Sequence, residues 1–293
     1  MCVGHEIIGE IVRAGSKVEG GLKVGDRVGV GPLSESCLGR QGPCQECSRG
    51  MEQYCPKQVN TYDSVFMDGA KSYGGYALYN RVPSHFAIKI PDGVPSVDAA
   101  PMMCAGVTMF SPLKYNNCGP GKRVAVAGIG GLGHFGIIIA KAMGAKVTAI
   151  SRSDRKHGDA MNMGADDFIA THNEPDWTTK YADSMDIILN SASSSQSGLA
   201  DYIKILRPGG SLVQIGLPDD GKMEAPVLPL ARRKRVESSL IGSPDEVREM
   251  FELVEKKGIK PWIQTRPMED ANNVILDFQA GKPRYRYVLM NNW

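Results

Sequence analysis

The sequence predicts an α/β protein built on a doubly wound parallel sheet, and three observations predict it. Arg123 to Ile150 reads as a strand, a glycine-rich turn, a helix and a second strand. Downstream, strands and helices alternate as far as Gly242. Upstream, the chain opens with short β elements and not with helices.

The central unit is read residue by residue. Val124 to Ala127 is a β-favouring run that enters Gly128-Ile129-Gly130-Gly131-Leu132-Gly133. An apolar helix follows from Phe135 to Met143, Gly144 ends it, and Val147 to Ile150 is the next strand. A Gly-x-Gly-x-x-Gly turn in that setting binds a dinucleotide. Gly128 permits the tight turn, Gly130 keeps side-chain atoms away from the pyrophosphate, and Gly133 brings helix and strand together, with Gly131 in the same turn. The helix N-terminus adds free N–H groups and the positive end of its dipole.

The second strand ends in Ser151-Arg152-Ser153-Asp154-Arg155-Lys156. An NAD site carries a carboxylate at this end, bonded to the ribose 2′-hydroxyl. Here Ser151 is small and neutral, and Arg152 and Lys156 can neutralise a 2′-phosphate, so NADP is the expected cofactor.

Further strands are expected at Asp167–Ala170, Met185–Asn190, Ser211–Gly216 and Val236–Gly242, with helices at Asp159–Met163 and Leu199–Leu206. Ligands of such sheets sit at the carboxyl ends of the strands. That rule adds Ser191, Gly216, Ser239, Leu240 and Ile241 to the cofactor candidates. Ser243-Pro244-Asp245-Glu246 carries the signature of a helix capping box. A helix at Asp270–Gln279 and a strand at Arg284–Leu289 close the chain. In the opening part, Ile7–Val12, Gly74–Tyr79 and Phe86–Ile90 read as strands, Val24–Val30 as a turn feeding another strand, and Val97–Thr108 as a helical stretch.

Four of the seven cysteines crowd into Cys37, Cys44, Cys47 and Cys55. Four thiolates on one tight loop suit a structural zinc, which takes soft ligands in a closed tetrahedron and leaves no position for substrate.

With 293 residues, 42% hydrophobic and 23% charged, the composition is that of a globular protein of one or two domains. A formal charge of +2 favours no polyanionic partner, and the run Arg232-Arg233-Lys234-Arg235 reads as a solvated turn, so no nucleic-acid role is expected. No apolar run reaches the ~18 residues of a membrane span, and the expected compartment is the cytoplasm.

Taken together, Gly4-His5-Glu6, Gly25-Asp26-Arg27-Val28-Gly29-Val30, the cysteine cluster, Gly74-Gly75-Tyr76-Ala77, Cys104-Ala105-Gly106-Val107-Thr108, the glycine turn, Ser151-Arg152-Ser153 and Arg284-Tyr285-Arg286 resemble the zinc-dependent medium-chain alcohol dehydrogenases. The nearest match is their NADP-dependent cinnamyl alcohol dehydrogenase branch. The resemblance implies a GroES-like β lobe interrupted by a Rossmann domain: residues 1–104 for the catalytic lobe, 105–242 for the NADP-binding domain, and 243–293 for a segment returning to the lobe. It implies His5 and Cys104 as ligands of a catalytic zinc, Glu6 as a neighbouring carboxylate able to reach the metal, Thr108 as a cofactor contact, a small alcohol or aldehyde as substrate, and a homodimer. The family also carries a segment ahead of Gly-His-Glu with another zinc cysteine, a proton-relay hydroxyl and several strands, whereas here Gly4 is three residues from Met1. The expectation is therefore an N-terminally shortened β lobe. It is either a working alcohol dehydrogenase or a short form that binds NADP and structural zinc with little turnover. A polyol dehydrogenase is the third possibility. Cys2, three residues before His5, sits where a terminus seldom holds fixed geometry.

Overall fold

The computed structural model describes residues 1–193, 198–218 and 220–291. They form two compact units, Met1–Val107 with the segment from Ile241 onward, and Thr108–Leu240.

The first unit opens with β1 (Ile7–Glu10), β2 (Arg27–Val30), β3 (Leu33–Glu35), the single-turn helix α1 (Gln45–Ser48), β4 (Val59–Asn60), β5 (Ile88–Lys89) and α2 (Ser96–Ala99). β2 lies between β1 and β5, antiparallel to both, and β3 pairs with β4. Glycines allow the next segment to settle on β2. A Cβ on Gly29 would stand 2.5 Å from the Met103 sulfur, and one on Gly31 would stand 2.7 Å from the Met103 carbonyl oxygen.

Three expectations for the opening part of the chain are corrected. Gly74–Tyr79 is not a strand: the N–H groups of Gly74, Gly75 and Tyr76 donate to the carbonyls of Cys2, Gly4 and Val3, an irregular pairing with no ladder. Of Phe86–Ile90, only β5 is extended, because a 3₁₀ turn occupies Ser84–Phe86. The stretch Val97–Thr108 is also broken. Helix α2 passes into a 3₁₀ turn at Ala100–Met103, Cys104 leaves helical geometry at φ −126°, and α3 (Ala105–Tyr115) begins afresh. Pro101, which has no N–H to give to a helical ladder, accounts for the interruption.

The second unit holds β6 (Arg123–Ala127), α4 (Gly133–Ala142), β7 (Lys146–Ser151), α5 (His157–Asn162), β8 (Asp167–Ala170), α6 (Trp177–Lys180), β9 (Met185–Asn190), α7 (Leu199–Ile205), β10 (Leu206–Gln214), α8 (Val227–Leu230) and β11 (Arg235–Ser238). Its six strands are parallel, in the order β8-β7-β6-β9-β10-β11. Counted within the unit this is 3-2-1-4-5-6, the doubly wound order with its switch point between β6 and β9. One face of the sheet buries Ala125, Ala127, Ile150, Ile188 and Leu212 against Trp177, Leu199 and Ile203. On the other, α4 lies so close that a Cβ on Gly136 would reach Val126 at 3.2 Å.

Three details differ from expectation. β11 runs over Arg235–Ser238 and does not reach Gly242, because Ile241 turns to φ +47°, outside extended geometry. β10 begins at Leu206, not Ser211, with a register shift against β9 between those residues that accommodates Pro208-Gly209-Gly210. The basic run is not a free turn. Lys234 is buried, donates to the Ile203 carbonyl at 2.7 Å and pairs with Asp183 at 2.9 Å.

The chain returns to the first unit through α9 (Pro244–Lys257), β12 (Ile263–Pro267), α10 (Ala271–Gln279) and β13 (Arg286–Met290), with β12 and β13 paired in parallel. At the start of α9, the Glu246 N–H donates to Ser243 Oγ at 3.3 Å, and the Ser243 N–H donates to Glu246 at 2.9 Å. Among the described residues no helix is long and apolar enough to cross a membrane. Since both capping residues are buried, Ser243→Ala should destabilise the first unit by about 1 kcal/mol, read as a lower urea midpoint.

Candidate active site

The switch point is built from backbone. Ala127 and Asn190 are register partners at the ends of β6 and β9, so Gly128 and Ser191 emerge side by side. The Ser191 hydroxyl lies 3.0 Å from the Ala127 carbonyl oxygen and 2.8 Å from that of Gly128. Gly128 has φ +82°, which only glycine adopts without strain. A Cβ on Gly133 would overlap the Gly128 carbonyl oxygen, whereas one on Gly130 would meet nothing within 4 Å. Strand and helix are thus in contact at Gly133, and open space lies over Gly130. A pyrophosphate needs that space, and the glycine turn fits it.

The other cofactor candidates take definite places. Ser151 ends β7, with Arg152 exposed just beyond it. The Lys156 ammonium donates to the Ile129 carbonyl inside the glycine turn. Gly216 follows β10, where any side chain would overlap the Ala192 carbonyl. Ser239 and Leu240 follow β11, and the next residue, Ile241, has φ +47°, an unusual conformation for a β-branched residue. Thr108 is buried, and its hydroxyl oxygen has no hydrogen-bond partner. An orphaned buried donor of this kind fits a ligand contact.

Two residues in this crevice are not singled out by the sequence reading. The Asn190 amide donates to Gln214 Oε1 at 2.7 Å, and the Gln214 amide donates to the carbonyls of Gly216 at 2.6 Å and Ala192 at 3.0 Å. This amide chain ties the ends of β9 and β10 together. An amide closing the apolar runs Ile187–Leu189 and Leu212–Val213 is the signal that could have found them.

In the first unit, Cys37, Cys44, Cys47 and Cys55 bring their sulfurs within 4.8 Å of one another. Sulfur separations of 3.6 Å (Cys37–Cys55), 3.7 Å (Cys37–Cys47) and 4.0 Å (Cys44–Cys55) bracket the edge of about 3.8 Å that a zinc tetrahedron requires at its usual Zn–S length. A hydrogen bond from the Gly39 N–H, opposed by burial, draws the Cys37 thiol down to about 7. Cys118, by contrast, is pushed up to about 12 by burial, in keeping with a packed and inert thiol.

His5, Glu6 and Cys104 lie in the same unit. The Ala105 N–H, next to Cys104, donates to Glu6 Oε1 at 3.2 Å, and Arg286 stands 3.8 Å from Glu6 Oε2. The His5 ring lies parallel to Tyr62, with centroids 5.7 Å apart. Burial foremost lowers the His5 pKa, with Glu6 opposing and Arg286 assisting, which favours the neutral ring a metal can use. Among the described residues only the four cysteines form a set of three or more His, Cys, Asp or Glu ligands close enough to share an ion. His5, Glu6 and Cys104 are therefore not drawn into one three-ligand cluster, and the Glu6 carboxylate is engaged with Ala105 and Arg286. Cys2 directs its thiol to the carbonyls of Gly74 and Tyr76, at 3.3 and 3.4 Å.

Residues 1–92 match the alcohol dehydrogenase GroES-like domain, and residues 131–256 match the zinc-binding dehydrogenase domain. The NADP-dependent alcohol dehydrogenase 6 of Saccharomyces cerevisiae is 43% identical over 99% of this chain and 80% of its own length. The chain belongs to the zinc-binding alcohol dehydrogenases. It is therefore an oxidoreductase. Within the family it is also similar to the NADP-dependent alcohol dehydrogenase C 1 of Mycolicibacterium smegmatis, 41% identical over 98% of this chain and 80% of that protein. A solved cinnamyl alcohol dehydrogenase from Sorghum bicolor superposes with a TM-score of 0.90 at 34% identity, covering 98% of this chain and 81% of its own. The Helicobacter pylori cinnamyl alcohol dehydrogenase complexed with NADP(H) gives 0.86 at 33%, covering 99% and 81%.

Two outcomes follow from this geometry. Gly133→Ala should abolish cofactor binding, measured by quenching of protein fluorescence on NADPH addition, because the methyl must displace the Gly128 carbonyl. Cys55→Ser should remove one zinc per chain by elemental analysis and lower the melting temperature of the first unit.

Proposed function

We propose that this enzyme moves hydride between NADPH and a primary aromatic or medium-chain aldehyde, and in reverse oxidises the alcohol. The observation that carries the reading is the glycine turn at the switch point followed by Ser151-Arg152, neutral and basic where an NAD site holds a carboxylate. The names of the two NADP-dependent relatives and of the two solved cinnamyl alcohol dehydrogenases support it.

Within this reading, NADPH when bound would supply the hydride, and His5 and Cys104 are the residues that would hold a catalytic zinc, which would supply Lewis acidity to the substrate oxygen. The chain's own residues do the positioning. Gly128, Gly130, Gly131 and Gly133 admit the pyrophosphate to the end of α4. Arg152 forks onto the 2′-phosphate beside Ser151, and Lys156, already anchored on the turn, adds positive charge. Ser191, Gly216, Ser239, Leu240 and Ile241, each following a strand end in sequence, would be further cofactor contacts, and the Thr108 hydroxyl would take a cofactor contact as its missing partner. Tyr62 holds the His5 ring by stacking, and Glu6 is kept in reserve by the Ala105 N–H and Arg286. The four-cysteine zinc rigidifies its loop. The reading includes a cytoplasmic homodimer.

One observation favours a second reading. Because His5, Glu6 and Cys104 do not form a three-ligand set, in this second reading the chain holds NADP and structural zinc alone, with little turnover. Zinc per chain and NADPH oxidation with cinnamaldehyde, measured on one preparation, separate the two. Two zinc ions with turnover support the enzyme; one zinc, NADPH binding and no turnover support the short form. Faster oxidation of mannitol than of cinnamyl alcohol by NADP⁺ would move the assignment to polyols. In the same assay Arg152→Ala should weaken NADPH binding by about tenfold or more and leave NADH binding unchanged, since it removes a charged hydrogen-bond donor that only the 2′-phosphate uses.

A further inference from the structure

At the opposite end of the same sheet, the amino ends of β6, β9 and β11 surround a cavity of about 200 Å³. It owes its existence to the register shift in β10, which carries Pro208-Gly209-Gly210 out of the ladder. Gly209 has φ +79°, and a Cβ there would meet nothing within 4 Å, so the loop leaves its backbone facing open space.

The charges around the cavity are unbalanced and held in place. Lys122, Arg207 and Arg235 line it, against a single carboxylate, Asp186. Asp186 is buried and already engaged. It accepts from the Arg123 N–H at 2.9 Å and from Arg207 at 2.9 Å, with Lys122 at 3.9 Å. Arg235 donates to Asn116 Oδ1 at 3.3 Å, and the Asn116 amide is itself fixed on the Pro112 carbonyl at 3.0 Å and on Glu237 at 2.7 Å. One carboxylate cannot neutralise three cations, and the two guanidinium groups keep donors beyond those spent on Asp186 and Asn116. Three fixed cations around a concavity attract an anion with several acceptor oxygens.

The concavity, about 200 Å³, opens to solvent beside the exposed Arg207 and Arg235, and it has room for a phosphate group, free or carried by a small phosphomonoester. We propose that the cavity between Lys122, Arg207 and Arg235 is a phosphate-binding site, separate from the cofactor turn at the other end of the strands. Because its three cations stand at the amino ends of β6, β10 and β11, occupancy ties these strands together and stabilises the second unit.

The test uses the full chain saturated with NADP⁺, so that the cofactor site does not compete for phosphate. Melting temperature is followed against inorganic phosphate and, separately, glycerol 3-phosphate, with chloride at equal ionic strength as reference. The variants are Lys122→Gln and Arg235→Gln, which leave the buried Asp186–Arg207 pair intact. The expected result is a saturable upward shift with phosphate beyond that with chloride, with the phosphate needed for half the shift raised by about tenfold or more in the double variant. A response to glycerol 3-phosphate as well assigns the site to phosphomonoesters; a response to phosphate alone assigns it to the free ion. Arg152→Ala, at the cofactor end, should keep the full phosphate shift, which separates failure of this proposal from failure of the NADP assignment. Equal shifts with phosphate and chloride, or an undiminished phosphate shift in the double variant, would overturn the proposal.

Discussion

The second unit depends on one close approach. Gly133, at the start of α4, lies against the Gly128 carbonyl with no room for even a methyl group between them. That contact fixes how near the helix stands to β6 and therefore where its free N–H groups point. The Ser191 hydroxyl, within 3.0 Å of the carbonyls of Ala127 and Gly128, ties the neighbouring strand end to the same turn. The Asn190–Gln214 amide chain extends the tie to β10. The crevice is thus set by main-chain geometry and buried amides, and its selectivity is left to the few side chains at the end of β7.

The first unit solves a different problem. Its strands are short, and the cysteine loop between β3 and β4 carries only α1 and a 3₁₀ turn. Such a loop buries little apolar surface of its own. Four sulfurs at tetrahedral spacing replace a hydrophobic core with metal–thiolate bonds. Next to it, Gln53 donates to Glu246 at 3.4 Å, so the loop leans on the same carboxylate that caps α9.

What could be read from the sequence follows how local the cause is. The limits of β8 and β9, the glycine turn, the capping box at Ser243 and the tight cysteine cluster depend on neighbours in sequence, and each is found where the residues predict it. The misses have distant causes. Gly74–Tyr79 reads as a strand, yet the N–H groups of Gly74, Gly75 and Tyr76 are claimed by Cys2, Gly4 and Val3, some seventy residues away along the chain. The start of β10 was concealed by Pro208-Gly209-Gly210, which reads as a turn but is absorbed as a register shift. Lys234 reads as one of four solvated charges, and only the packing of the second unit reveals its contacts with Ile203 and Asp183. In the candidate catalytic site, the contact between Glu6 and the Ala105 N–H joins two motifs 99 residues apart, and no spacing within either motif indicates it.

The account stands on the chain itself carrying out hydride transfer from a 2′-phosphorylated nicotinamide. The most direct measurement follows the hydride. The purified protein is incubated with NADPH deuterated at C4 and an aromatic aldehyde, and the alcohol is weighed by mass spectrometry. The account predicts an alcohol carrying one deuterium on its carbinol carbon when one C4 epimer is used and none with the other. Labelled NADPH that binds and returns unchanged with both epimers would contradict it.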